Sequence, residues 1–233
     1  MINPLARLVK DKETSFMKTL GILGGMGHKS TAYFYELLTA WRRDKTCPNV
    51  ILYSKGIPPS TTEFILGQTE KDPTEELIVA VKLLETSGAT QIAIPCATAH
   101  YFYDKLAAAV NIPIINLIAE MAQVVANKGF TRVGLLAKEG TVHADLFQRE
   151  LLMRGIHTLT PPAENQSKLS DVITCLEKGK SHDGNNFEAV AEDLYTQGAE
   201  GIILGCTELS LISRGEAQGF IDSLTVLTNL VYK

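Results

Sequence analysis

The sequence predicts an α/β protein of two related halves, each a parallel sheet covered by helices. Two observations carry this expectation. Short apolar runs alternate with amphipathic helical segments over most of the chain, the pattern of parallel strands joined by crossover helices. A motif also recurs at a constant offset: Gly88-Ala89-x-x-Ile92-x-Ile94-x-Cys96 matches Gly198-Ala199-x-x-Ile202-x-Leu204-x-Cys206. Earlier in each half, Gly21-Ile22-Leu23-x-x-x-Gly27 is similar to Gly134-Leu135-Leu136-x-x-x-Gly140. With 233 residues, 45% of them hydrophobic, the chain can fill one large core or two of roughly 110 residues each.

The pattern starts at Met17. The run through Leu23, broken by Gly24-Gly25-Met26-Gly27, reads as a buried strand entering a tight loop. Ser30 or Thr31 is placed to cap a helix whose apolar positions Tyr33, Phe34, Leu37, Leu38 and Trp41 recur at helical spacing. Val50–Tyr53 is a second strand. Lys55 to Gln68, with Pro58-Pro59 and Ser60, reads as a surface loop. Asp72-Pro73-Thr74-Glu75 is a helix start with a capping box, and Gly88 ends that helix. Strands are then expected near Gln91–Ile94, Ile112–Leu117, Arg132–Leu136 and Gly201–Leu204. Helices are expected near Ala99–Val110, Ala119–Asn127, Val142–Arg154, Ser167–Glu177 and Phe187–Gln197.

Composition excludes several classes. A net charge of −4 lacks the excess of Lys and Arg that nucleic-acid binding needs. No apolar run is long enough to span a membrane. The first sixteen residues lack the apolar stretch of a secretory signal. Four cysteines do not make a disulfide scaffold, so free thiols in a cytoplasmic protein are expected.

Open α/β sheets bind ligands beyond the carboxyl ends of their strands, and two of the cysteines fall there. Cys96 and Cys206 end equivalent strands. If the halves face each other about a pseudo-two-fold axis, the two thiols approach one cleft from opposite sides. Two thiols so placed suit proton exchange at a carbon next to a carboxylate: one removes the proton from one face, the other delivers a proton to the opposite face. Each needs a pKa brought down from about 8.5, and the helix starts expected after each cysteine favour thiolate. Thr98 and Thr207 supply hydroxyls beside them. The competing reading is a pair of buried core cysteines, a common fate, but equivalent positions in a repeat argue against it. Cys47, in a loop, and Cys175, on a helix, read as bystanders. His100, four positions after Cys96, fits a structural role as well as a chemical one. No metal site is expected, because neither cysteine has a partner at metal-ligand spacing.

Gly24-Gly25-Met26-Gly27, Pro95-Cys96-x-Thr98-Ala99-His100 and Gly205-Cys206-Thr207-Glu208 together resemble the aspartate/glutamate racemase superfamily, most of all its cofactor-independent aspartate racemases. The resemblance runs from about Met17 to Thr228. It implies two Rossmann-like or flavodoxin-like domains, here 17–115 with 213–233 and 116–212, preceded by an extension over 1–16. It also implies an active site between the domains, a homodimer, and no pyridoxal phosphate or other cofactor. Cys96 and Cys206 are then the two catalytic groups. Gly25, Met26, Gly27, Thr61, Ala97, Thr98, Lys178, Thr207 and Glu208 bind the substrate.

The chain departs from the family pattern at specific places. Ala97 stands where Asn is usual. Thr61 aligns with an Arg that grips the side-chain carboxylate, and the nearest cation in sequence is Lys55. A Lys that pairs with the same carboxylate aligns with Lys178, or equally with Lys180. Near the C-terminus, Leu224–Leu227 is the apolar run expected as the last strand, and Thr228 matches a common Asp. A charge-assisted bond of the missing Arg kind is worth about 1.5–3 kcal/mol, so the reaction type is better specified than the substrate. Aspartate is the leading expectation, with glutamate or an amino acid lacking a side-chain carboxylate as the alternative. Other functions on such a scaffold are an isomerase or decarboxylase, the latter disfavoured because both cysteines are kept. An amino-acid-binding regulatory protein and a dithiol redox protein complete the set.

Overall fold

The computed structural model describes residues 18–40, 47–55, 61–180, 185–213 and 219–232. The expected extension over 1–16, Met17, Trp41 and the Pro58–Ser60 segment lie outside the described residues.

The first sheet holds β1 (Thr19–Gly24), β2 (Asn49–Ser54) and β3 (Gln91–Ala93) in the order β2-β1-β3, all parallel. An isolated parallel bridge from Ile92 to Ile114 extends it beyond β3. The second sheet holds β4 (Arg132–Leu136), β5 (His157–Leu159), β6 (Ile202–Leu204) and β7 (Phe220–Asp222) in the order β5-β4-β6-β7, again parallel. Taken by position, β1, β2, β3 and Ile114 correspond to β4, β5, β6 and β7. The sequence repeat is therefore a repeat of strand order.

Side-chain alternation along the strands splits each sheet between two cores. Leu20 and Ile22 of β1, Val133 and Leu135 of β4 and Ile203 of β6 join one cluster. That cluster is shared with helices α1 (His28–Thr39), α5 (Leu117–Asn127), α7 (Leu146–Leu152) and α11 (Ser223–Val231), which lie between the sheets. The opposite face of the first sheet packs on α3 (Thr74–Thr86) through Leu77, Val81 and Leu84. The opposite face of the second packs on α8 (Ala163–Glu177) and α9 (Asn185–Thr196); the short α10 (Ser210–Ser213) follows β6. Both sheets are thus covered on both faces, as parallel sheets require.

Several local expectations are corrected. Ser30 and Thr31 do not cap α1; Gly27 is the N-cap. Both residues are buried in the first turn, where Thr31 Oγ1 donates to the Gly27 carbonyl at 2.6 Å and accepts from Gly25 N–H at 3.2 Å. The long loop contains a short helix, α2 (Thr61–Ile65). The helix expected over Ala99–Val110 is a 3-10 turn over Thr98–Phe102 followed by α4 (Tyr103–Ala107). The one expected over Val142–Arg154 is split into α6 (Glu139–His143) and α7, with Asp145 between them at φ 53°. Leu224–Leu227 lies in α11 rather than in a strand; the last strand is β7, just before it. That strand bears on the domain expectation for 213–233. β7 hydrogen-bonds to β6 in the second sheet, while α11 contacts α1 and α5, so the C-terminal segment spans both halves.

Candidate active site

Loops at the carboxyl ends of four strands meet in one cleft of about 180 Å³. The loop after β1 brings Gly25, Met26, Gly27 and His28, and the loop after β3 brings Cys96, Ala97 and Thr98. From the second half, the loop after β4 brings Lys138 and the loop after β6 brings Cys206, Thr207 and Glu208. Thr61 of α2 and Glu177 at the end of α8 complete the lining. Cys96 and Cys206 therefore share one hollow and enter it from different halves.

Gly25 is required where the β1 loop turns. Its φ of +97° suits a residue without Cβ, and a Cβ there would stand 2.1 Å from the Lys55 carbonyl oxygen. The turn presents Gly27 to the other half, where its N–H donates to Glu208 Oε1 at 3.2 Å. Other bonds cross the same boundary, among them one from Ser30 Oγ to Glu208 Oε1. Thr207 Oγ1 donates to the Pro95 carbonyl at 3.1 Å, and the Thr98 and Thr141 hydroxyls lie 2.8 Å apart. The residues flanking the cysteines thus fasten the two halves together around the cleft.

Glu208 is the most constrained group in the site. It is 2% exposed. Oε1 accepts from Gly27 N–H and from Ser30 Oγ at 2.9 Å. Oε2 accepts from Cys206 Sγ at 3.1 Å and lies 3.3 Å from Thr207 Oγ1. Its carboxylate is turned to Cys206 and its neighbours, and the residue also lines the cleft.

The thiols themselves depart from expectation. Each cysteine precedes only a 3-10 turn, Thr98–Phe102 or Thr207–Leu209, so the dipole support is that of a few N–H groups. Burial pushes Cys96 up to about 12 and the negative charge of Glu208 adds to the rise; the Ala99 N–H and Lys138 pull the other way. Burial and Glu208 also hold Cys206 well above the usual thiol value, with Lys138 opposing. These surroundings favour neutral thiols, not the thiolates that helix starts were expected to favour.

Lys138 was not singled out by the sequence, yet among the described residues it is the lysine that lines the cleft. It forms an ion pair with Glu177, both side chains being about a quarter exposed. Burial opposes its charge, but Cys206 and Glu177 together hold its pKa above the ordinary value. Lys178, expected in this role, is exposed and outside the cleft lining, as is Lys180; α8 turns Glu177, its preceding residue, inward instead. Lys55 pairs with Glu76 at 3.0 Å. Among described residues, no group of His, Cys, Asp and Glu is arranged to hold a metal ion. Nor, among them, is any helix long and apolar enough to cross a membrane.

His100 is structural. It is buried, with Nδ1 2.9 Å from the Cys96 carbonyl and Nε2 accepting from Leu117 N–H at 3.1 Å. Burial lowers its pKa, so the neutral ring donates from Nδ1 and accepts at Nε2. The ring ties the Cys96 loop to the start of α5.

Comparison with known proteins identifies the family. A solved aspartate racemase from Picrophilus torridus superposes with a TM-score of 0.81 at 25% identity, covering 92% of each chain. An aspartate racemase homologue from Pyrococcus horikoshii OT3 gives 0.73 at 28% identity, covering 92% of this chain and 97% of that one. The broad specificity amino-acid racemase RacX of Bacillus subtilis (strain 168) is 27% identical over 205 residues, 83% of this chain and 86% of RacX. The family model described as Asp/Glu/Hydantoin racemase matches residues 23–231. With its two-sheet architecture and with this match over nearly its whole length, the chain belongs to the Asp/Glu/hydantoin racemase family and is an amino-acid racemase by kind.

Proposed function

We propose that the protein interconverts the enantiomers of an α-amino acid by proton transfer between Cys96 and Cys206, without pyridoxal phosphate. The observation that carries the reading is the shared cleft, with one thiol from each half on its wall. Glu208 accepts the Cys206 proton across the 3.1 Å contact. The Cys206 thiolate then takes the hydrogen from one face of the α-carbon, and the Cys96 thiol delivers its proton to the other. Cys96 is left as thiolate and works in reverse on the opposite enantiomer. The ammonium of the bound amino acid supplies positive charge beside two thiols that burial and Glu208 hold neutral, and so eases ionisation when substrate is present. The loop backbones at Gly25–Gly27, Ala97–Thr98 and Thr207 hold the α-carboxylate and ammonium. The same reading carries a cytoplasmic homodimer.

Aspartate as substrate is supported by the likeness to aspartate racemases and by the presence of Lys138. An amino acid without a side-chain carboxylate is supported by a different observation: Thr61 and Ala97 line the cleft, and its lysine is already paired with Glu177.

Incubation of each enantiomer in heavy water tests the reaction. Deuterium should enter the α-position as optical rotation is lost. Cys96→Ala and Cys206→Ala should each slow this by about 10²–10⁴-fold, the usual worth of one acid or base. If both enantiomers of every amino acid keep their α-protons, the reading fails. Calorimetry showing binding without turnover would then favour an amino-acid-binding protein on this scaffold.

A further inference from the structure

We propose that the Lys138–Glu177 ion pair is the specificity element of the cleft, selecting α-amino acids with short, uncharged polar side chains. This rests on the racemase reading and deepens it.

Among the described residues, the formally charged groups lining the cleft are Lys138, Glu177 and Glu208. Glu208 is committed to Ser30, Gly27 and Cys206. His28 sits at the exposed rim, its Nδ1 3.1 Å from Ser54 Oγ. Reading a charged substrate side chain therefore falls to Lys138 and Glu177, which are bonded to each other. A side-chain carboxylate would have to take Lys138 from Glu177 and then lie against Glu177. A side-chain ammonium would have to take Glu177 from Lys138 and lie against Lys138. Each charge of the pair is a barrier to substrates of its own sign, because a charge-assisted bond must be broken and a like charge approached. A hydroxyl or amide can bond to either partner and leave the pair intact.

The same pair also limits length. Lys138 and Glu177 line a second pocket of about 390 Å³, shared with Thr62, Glu63, Ser170 and Thr174. The ion pair is thus the partition between the two spaces. Thr61 lines the cleft while its neighbour Thr62 lines the outer pocket. The cleft's 180 Å³ is the room of roughly six waters, enough for a short amino acid. A side chain that outgrows this space meets the pair next.

Asparagine and aspartate have nearly the same shape and differ in charge, so they isolate the effect. Calorimetric Kd and α-proton exchange in heavy water are measured for serine, asparagine, aspartate and ornithine on wild type, Glu177→Gln and Lys138→Met. Wild type should favour asparagine over aspartate by about tenfold or more. Glu177→Gln should shift that ratio toward aspartate by about tenfold. Lys138→Met should shift the ornithine-to-asparagine ratio toward ornithine by a similar factor. Wild-type preference for aspartate or ornithine overturns the proposal, as do variants that bind yet leave both ratios unmoved, even if exchange establishes racemisation. The wild-type ranking alone suffices should a variant fail to fold. Selective binding with no exchange upholds the proposal while the racemase reading fails; no binding and no exchange defeats both.

Discussion

Cys206 and Cys96 differ in what stands beside them, and that difference is open to test. Glu208 does two opposing things. Its negative charge raises both thiols, yet its Oε2 is also the acceptor for the Cys206 proton. Glu208→Gln separates these effects, since the amide fills the same space without charge. The Cys96 thiol should then titrate below its present value of about 12, seen as thiolate absorbance appearing at lower pH. Turnover should nevertheless fall, by about 10²-fold, because the base that relieves Cys206 of its proton is gone. Two enantiomers of equal free energy interconvert, so kcat/KM must fall equally in both directions. A variant whose thiols titrate lower and which also works faster would show that Glu208 serves only the packing of the Gly27 loop.

At the scale of elements, helix starts hold the loops that hold the site. Asp222 caps α11 by accepting Thr225 N–H at 2.7 Å, as Asn116 caps α5 by accepting Ala119 N–H at 3.1 Å. These caps occupy corresponding places in the two halves, after β7 and after the Ile114 bridge. Asp222→Ala should lower unfolding free energy by about 1 kcal/mol, measured by urea denaturation. Loss of α-proton exchange should be much smaller, because Asp222 lies outside the cleft lining. These elements also show what was legible in the sequence. The strands of both sheet centres were, because Leu20–Leu23, Val133–Leu136 and Ile202–Leu204 are apolar runs buried on both faces. The two cysteines were legible as a pair because the repeat places them at equivalent strand ends. β5 was not, since His157-Thr158-Leu159 is a short edge segment, only partly buried and without an apolar run. Lys138 was not, because nothing local marks a lysine that turns inward only when α8 brings Glu177 opposite. The upward thiol shifts were hidden for a similar reason: burial and the reach of Glu208 to Cys206 are properties of assembled loops, whereas sequence shows only that turns follow.

For the whole molecule, burying two thiols in a cleft between packed halves links stability to pH. Burial pushes Cys96 up to about 12, well above an ordinary thiol, and Cys206 is shifted in the same direction. The folded chain then holds these protons more tightly than the unfolded chain does. Their contribution is complete below about pH 9 and is lost as pH rises toward about 12, where the unfolded thiols ionise and the buried ones resist. Within that window each tenfold fall in proton activity removes about 1.4 kcal/mol per thiol. Lys138, Tyr103 and Tyr195, also held above their ordinary values, act with the same sign. Under reducing conditions, the urea midpoint should therefore decline steadily above pH 9. The double variant Cys96→Ala/Cys206→Ala should show a shallower decline than wild type, though not a flat one, because the tyrosines remain and Glu177 still holds Lys138 up. Equal slopes for the two proteins would mean that both thiols ionise as freely in the fold as in the open chain. The cleft would then be wetter than its geometry indicates, and substrate would not be needed to make the thiolate.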